Sequence, residues 1–279
     1  MAMVTSPIIT LTTDFGTQDP YVGVMKGVIH SINRHSSIID ISHDVQPQSI
    51  LEGAFIIGSS HRFFPKGTLH VAVVDPGVGT SRSALLLVTP AAYFLGPDNG
   101  IFSYIVKEGF RGDPEMSSGY QVRVPNGYRA YRLTNPEFWM HPVSSTFHGR
   151  DVFAPVAAHL SLGVPEDRLG EEIHLLTYLP VTQPQWKGDT LTGRVVHVDR
   201  FGNLITDIPA FLLSGGHAIT IVIKEHCIAG ISRSYAEGER LLAIIGSNNT
   251  LELSVRNGSA AHSLGAGVEE EVRIRKPGT

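Results

Sequence analysis

The sequence is short of the residues that several common protein chemistries require. One cysteine, Cys227, occurs in 279 residues, so no intrachain disulfide can form and no set of thiolates can cage a metal. A chain so poor in thiols suits a reducing compartment, and the expected location is cytoplasmic. Lysine and arginine number 22 against 26 acidic residues, a formal net charge of -4, which leaves no basic footprint for nucleic acid. No apolar run approaches the ~18 residues of a membrane span. Residues 1–12 carry no basic leader ahead of a long apolar core, so no signal peptide is expected.

Several catalytic templates are missing as well. The 13 histidines include His30, His35, His43, His61 and His70, scattered without ligand-like spacing and with no His-Glu-x-x-His, so no metal site is expected. Gly77-Val78-Gly79 follows an apolar run, but the third glycine of a dinucleotide fingerprint is missing and Pro76 interrupts the turn. Neither Gly-Lys-Ser/Thr nor Gly-x-Ser-x-Gly occurs.

What is present is 42% hydrophobic against 17% charged residues, enough to build a substantial core. Ile8–Thr13, Ser37–Ile41, Leu69–Val74 and Ala84–Val88 have strand composition. Between them, Tyr21–Ile29 and Ile50–Phe63 carry apolar residues at helical intervals, the second with Ser49 as N-cap and Glu52 in its first turn. Strand, helix, strand in this order predicts an α/β domain with a largely parallel sheet. A helix is expected at Ile101–Val106 and another over Val152–Leu160, while 109–127 reads as an excursion without regular structure.

Beyond Pro180–Pro184 the helical pattern gives way to short alternating segments. These are Leu191–Val198, Leu204–Asp207, Ala218–Ile223, Leu241–Ile245, Leu251–Val255 and Val268–Ile274, the pattern of a small antiparallel barrel or sandwich. Two domains are therefore expected, an α/β domain over 1–178 and a β-barrel over 191–279, joined by a linker at 179–190.

Polar clusters gather in the turns, where binding and catalytic groups favour strand ends. Asp14 ends the first strand, with Asp19 beyond it. Asp75 ends a buried-looking strand, and the glycines after it let Arg82 fold back towards it; the same residues also make an ordinary ion-paired turn. His148, Arg150 and Asp151 precede a helix. Asp199, Asn203 and the Ser247-Asn248-Asn249 turn lie between C-terminal strands.

Six stretches in this order resemble one family. They are Leu11-Thr12-Thr13-Asp14-Phe15-Gly16, Ile41-Ser42-His43-Asp44-Val45, Val74-Asp75-Pro76-Gly77-Val78-Gly79, Gly96-Pro97-Asp98-Asn99-Gly100, Thr146-Phe147-His148-Gly149-Arg150-Asp151-Val152-Phe153-Ala154-Pro155 and Asp199-Arg200-Phe201-Gly202-Asn203-Leu204. The family is that of the adenosine-forming S-adenosyl-L-methionine (SAM) hydrolases, or SAM hydroxide adenosyltransferases, related to the fluorinase and chlorinase enzymes. The resemblance implies a homotrimer with its sites between subunits, SAM as substrate without a cofactor, and adenosine and L-methionine as products. It also implies that Asp75, Arg82 and His148 surround the reacting water, with either Asp75 or His148 taking its proton.

For binding, the resemblance implies that Asp14 grips the ribose hydroxyls and that Asp19 lies near the amino-acid end. Asp199, Asn203 and Ser247 hold the methionine part or the adenine edge, and Phe147 packs against the ligand. The related halogenases have an uncharged residue at the Asp75 position, and a carboxylate beside the reacting carbon repels halide but suits water. Hydrolysis is therefore expected, with a non-catalytic adenosine- or SAM-binding protein as the alternative from another class.

Overall fold

Successive residues of a strand point to opposite faces, so a strand covered on both faces needs apolar side chains throughout. In the computed structural model, which describes residues 6–118, 120–213, 219–237 and 240–275, the chain divides into two units, residues 1–181 and 182–279. The first unit begins β1 (Ile8–Thr13), α1 (Tyr21–Ile32), β2 (Ser37–Ser42), α2 (Ile50–Ser60), β3 (Leu69–Val73), β4 (Ala84–Val88), β5 (Tyr93–Pro97) and α3 (Ser103–Glu108). It continues with β6 (Met116–Ser118), β7 (Gln121–Arg123), β8 (Arg129–Leu133), α4 (Ala154–Ser161), α5 (Glu166–Leu169), β9 (Gly170–Ile173) and β10 (Leu175–Thr177).

Its main sheet has the order β2-β1-β3-β5-β4-β8-β9. The first four strands are parallel, and the remaining three are added by antiparallel pairings. Both faces are covered. Val71 and Val73 share a core with Met25 and Ile29 of α1 and Val156 of α4, whereas Ala72 and Val74 share another with Ile57 of α2 and Ile105 of α3. Full burial of each valine contributes about 1.5–3 kcal/mol, which makes β3 one of the best anchored strands and the end of β3 a firm platform.

Two local expectations are corrected. The Ser49 side chain makes no capping bond at the start of α2; instead the Glu52 carboxylate accepts the Gln46 backbone N–H at 2.9 Å. The 109–127 stretch is not structureless. It carries β6 and β7, which join β10 in a three-stranded antiparallel sheet, and pairing with so distant a strand leaves no local periodicity to read.

The second unit contains β11 (Gln185–Lys187), β12 (Thr190–Val198), β13 (Leu204–Pro209), β14 (Thr220–Ile223), β15 (His226–Ala229), β16 (Leu241–Ile245), β17 (Thr250–Val255), α6 (Ala260–Leu264) and β18 (Glu271–Arg275). The order is β15-β14-β18-β12-β13-β17-β16 with β11 beside β12, every pairing is antiparallel, and the sheet is nearly closed and barrel-like. Leu191, Val195, Leu251, Leu253 and Ile274 point into its core. β11 falls inside the stretch expected as linker, and Ala218, expected to open a strand, lies outside the described residues. No helix among the described residues is long and apolar enough to cross a membrane.

Candidate functional site

β1 and β3 are parallel neighbours with Thr13 opposite Val73. The loops that leave their carboxyl ends therefore bring Asp14 and Asp75 to one edge of the sheet, where open α/β sheets bind ligands. The Asn99 side-chain amide donates to the Val74 carbonyl at 2.9 Å and pins the chain just before Asp75. Gly79 has φ +77°, and a Cβ there would run into the Ser145 carbonyl oxygen. Only glycine allows this approach, which seats the 76–80 loop on the segment leading to His148.

Arg82 joins the two sides. Its Nε donates to Asp75 Oδ1 at 3.0 Å and its Nη2 to Asp75 Oδ2 at 2.5 Å, the two-pronged match of guanidinium to carboxylate. Nη2 also lies 2.7 Å from His148 Nδ1. A guanidinium only donates, so Nδ1 must accept, and the neutral ring carries its proton on Nε2. Burial, and next the charge of Arg82, hold the His148 pKa below the ordinary imidazole value, while Asp75 and Asp151 act in the opposite direction. His148 is thus a neutral ring at neutral pH.

His148 introduces a helix that opens irregularly. Gly149–Phe153 forms a π-helical turn ahead of α4, a wide turn often found at functional sites. A Cβ on Gly149 would come within 3.1 Å of Met25 Sδ and 3.2 Å of the Phe147 ring, so the turn is packed against α1. Asp151 is fully buried. Its carboxylate is occupied by Arg150 at 2.6 and 3.0 Å and by the Ser144 N–H at 2.8 Å, which makes it a brace for the loop.

A cavity of about 430 Å³ is lined by Asp14, Asp75, Phe147 and His148 together with Phe15, Tyr21 and Gln48. The Phe15, Tyr21 and Phe147 rings form an edge-to-face cluster with centroids 5.2–5.8 Å apart, giving the cavity an apolar wall. Asp14 accepts the Gln48 N–H through Oδ2 at 2.8 Å, which leaves Oδ1 for another partner. Asp19 is exposed and is not on this wall. Sequence reasoning assigned no site role to Tyr21 or Gln48: the first reads as the start of a helix, and the second as part of a turn.

The second unit has a cavity of its own, about 1050 Å³, lined by Asp199, Asn203 and Ser247 and also by Phe201, Tyr235 and Glu252. Asp199 is largely occupied within its turn. Oδ1 accepts the backbone N–H groups of Phe201 and Asn203, each at 2.9 Å, and Oδ2 accepts the Asn203 amide at 2.8 Å, a side chain organising its own turn. Ser247 is exposed on the turn between β16 and β17. Tyr235 and Glu252 were not foreseen, because a glutamate alternating with leucines in β17 looks like a routine outward-facing residue.

The SAM hydroxide adenosyltransferase N-terminal domain model matches residues 9–170, and the C-terminal domain model matches residues 193–273. The chain is 34% identical to the (R)-S-adenosyl-L-methionine hydrolase of Methanocaldococcus jannaschii, over 96% of this chain and 95% of that one. It is 34% identical to the Thermus thermophilus protein of the same name, over 94% and 97%. A fluorinase from an Actinoplanes species is 27% identical over 73% of this chain and 72% of its own. A solved structure of a conserved Thermotoga maritima protein superposes with a TM-score of 0.85 at 32% identity, over 96% of this chain and 100% of that one.

Proposed function

The chain belongs to the SAM hydroxide adenosyltransferase family, and from that premise we propose that it hydrolyses S-adenosyl-L-methionine to adenosine and L-methionine. The curated relatives are named for the (R) compound, and that sulfonium epimer is the substrate assigned here. A sulfonium leaves without acid assistance, so the protein's task is to place water in line with the ribose C5′ and draw off its proton. The water oxygen bonds to C5′, the C5′–S bond breaks with its electron pair staying on sulfur, and the proton passes to Asp75.

Asp75 takes this role because His148 has no lone pair to spare: Nδ1 is engaged by Arg82 and Nε2 carries the proton. After accepting two N–H groups from Arg82, each Asp75 oxygen keeps a second acceptor position. Arg82 favours the ionised carboxylate and fixes its direction. His148 in turn holds the guanidinium. Asp14, with Oδ1 free, suits the ribose hydroxyls, and the aromatic wall keeps bulk water from the sulfonium. The negative charge of Asp75 beside the reacting carbon opposes halide entry, so the halogenation named in the fluorinase relatives is not assigned to this chain.

The observation that carries this reading is the Arg82 bridge between Asp75 and His148 at the rim of the cavity. Incubation with (R)-SAM in 18O-water is expected to give equimolar methionine and adenosine with the label in the 5′-hydroxyl. Intact SAM after prolonged incubation at high enzyme concentration would overturn the assignment. A homotrimer and a cytoplasmic location belong to the same reading, and light scattering tests the first.

A further inference from the structure

Glu252 is the least satisfied acid on the wall of either cavity. It sits within β17 and is only 6% exposed, a burial that carboxylates seldom tolerate without partners. One oxygen is well provided for: Oε1 accepts the Tyr235 hydroxyl at 2.7 Å and the Ser254 hydroxyl at 2.9 Å. The other, Oε2, receives no hydrogen bond from the described residues. Space in front of it is kept open by Gly246, where an added Cβ would stand 2.5 Å from Oε2.

The groups around this carboxylate also leave its charge unanswered. The hydroxyls of Tyr235 and Ser254 are neutral donors, and bonding to Glu252, the largest cause, pushes the Tyr235 pKa up to about 12, so the phenol keeps its proton. Asp199, on the same wall, is anionic as well. Arg256 also lines the cavity, but its Nη1 donates to the Ala236 carbonyl at 3.3 Å, and no lysine or arginine among the described residues pairs with Glu252. A buried anion without a counter-ion, opening onto a cavity, is a receptor for a cation that arrives with the ligand. Arg256 beside it gives the wall both signs, the pattern of an α-amino acid head group.

We infer that Glu252 receives the α-ammonium of the methionine portion of the substrate through Oε2, and so acts as a positioning residue for the reaction. This rests on the hydrolase reading, which supplies the substrate, and extends it by naming the acid in the second unit that answers the ammonium. Asp199, closed into its own turn, shapes the cavity around it.

The test is Glu252→Gln, which keeps the size and the acceptor for Tyr235 and Ser254 but removes the charge. By calorimetry, L-methionine is expected to bind about 10- to 100-fold more weakly, the loss of one charge-assisted hydrogen bond, while adenosine, which is neutral, keeps its affinity. In turnover, KM for SAM rises by a similar factor with kcat nearly unchanged. The preference of the wild type for SAM over its deaminated analogue disappears. Unchanged methionine affinity, or an equal loss for adenosine, would overturn the inference. Should Glu252→Gln fail to fold, Glu252→Asp retains the charge but withdraws it, and about tenfold weaker methionine binding is expected; wild-type binding there would also overturn it. If the wild type leaves SAM intact, the hydrolase reading fails, and methionine calorimetry still decides the role of Glu252.

Discussion

The cavities of the two units use carboxylates in opposite ways. In the first, Asp75 is held by another charge, the guanidinium of Arg82, which is itself steadied by His148. In the second, Asp199 is held by backbone amides and Asn203, and Glu252 by two hydroxyls. Charge held by charge has its direction set before any ligand arrives and is partly neutralised, which suits a group that must accept one proton at one place. Charge held by neutral donors keeps its full attraction for a cation, which suits binding. The same residue type therefore serves chemistry in one unit and recognition in the other.

The largest expected effect comes from removing the charged acceptor. Asp75→Asn preserves the shape of the cavity but gives Arg82 an amide, and kcat is expected to fall about 10³-fold, with adenosine affinity changed by less than about threefold. A kcat loss below about tenfold would break the contrast, since Asp75 would then be a binding group like its counterparts in the second unit.

Arg82→Gln removes the charge that organises the first site, and a fall of about 10²-fold in kcat/KM is expected. The pH profile sharpens the point. The His148 pKa lies below its ordinary value, so in the wild type the acid limb of kcat/KM, where the ring gains a proton and can no longer accept from Arg82, lies below ~6.5. Burial acts first and Arg82 second, so the variant's acid limb moves up towards ~6.5 without reaching it. A limb that stays in place would mean that burial alone sets the His148 titration.

The smallest effect concerns stability. His70 in β3 is buried, shares a 2.8 Å hydrogen bond with Thr10, and has its pKa lowered by burial to about 3. Its folded pKa is depressed, so the unfolded chain binds more protons between the two values. Its contribution is fully present above ~6.5 and is lost as pH falls towards about 3. At pH ~4.5 the loss is roughly 2 kcal/mol. No histidine is buried among the described residues of the second unit, so the first unit should be the more acid-sensitive. Urea unfolding of wild type and His70→Gln at pH ~7 and ~4.5 checks this, and equal pH dependence in both proteins would remove His70 as the cause.

Much of the first site could be read from the chain alone. Asp14 and Asp75 each follow a run that is apolar because both faces of its strand are covered, and an acid at such a boundary has only the sheet edge to occupy. The glycines after Asp75 announced the close approach that Gly79 makes to Ser145. Asp19 matches a family position but stays outside the cavity of the first unit, since being near a motif in sequence does not aim a side chain. β6, β7 and β15 were invisible because each is a few residues long and is stabilised by its pairing partners. Glu252 was invisible because period-two alternation says which face of a strand a residue takes, and only the neighbours across the sheet say whether that face meets solvent or a cavity.

The sequence by itself determined that this is a thiol-poor α/β unit followed by an antiparallel β unit, and that six motifs mark the family. These are properties of composition, periodicity and order, which need no partner to be legible. Tertiary structure alone decided that Arg82 spans Asp75 and His148, that the His148 proton sits on Nε2, that Asp199 is spent on its own turn, and that one oxygen of Glu252 is left open. Each depends on which lone pairs remain after groups distant in sequence have been packed together, and hydrogen-bonding capacity is spent in space.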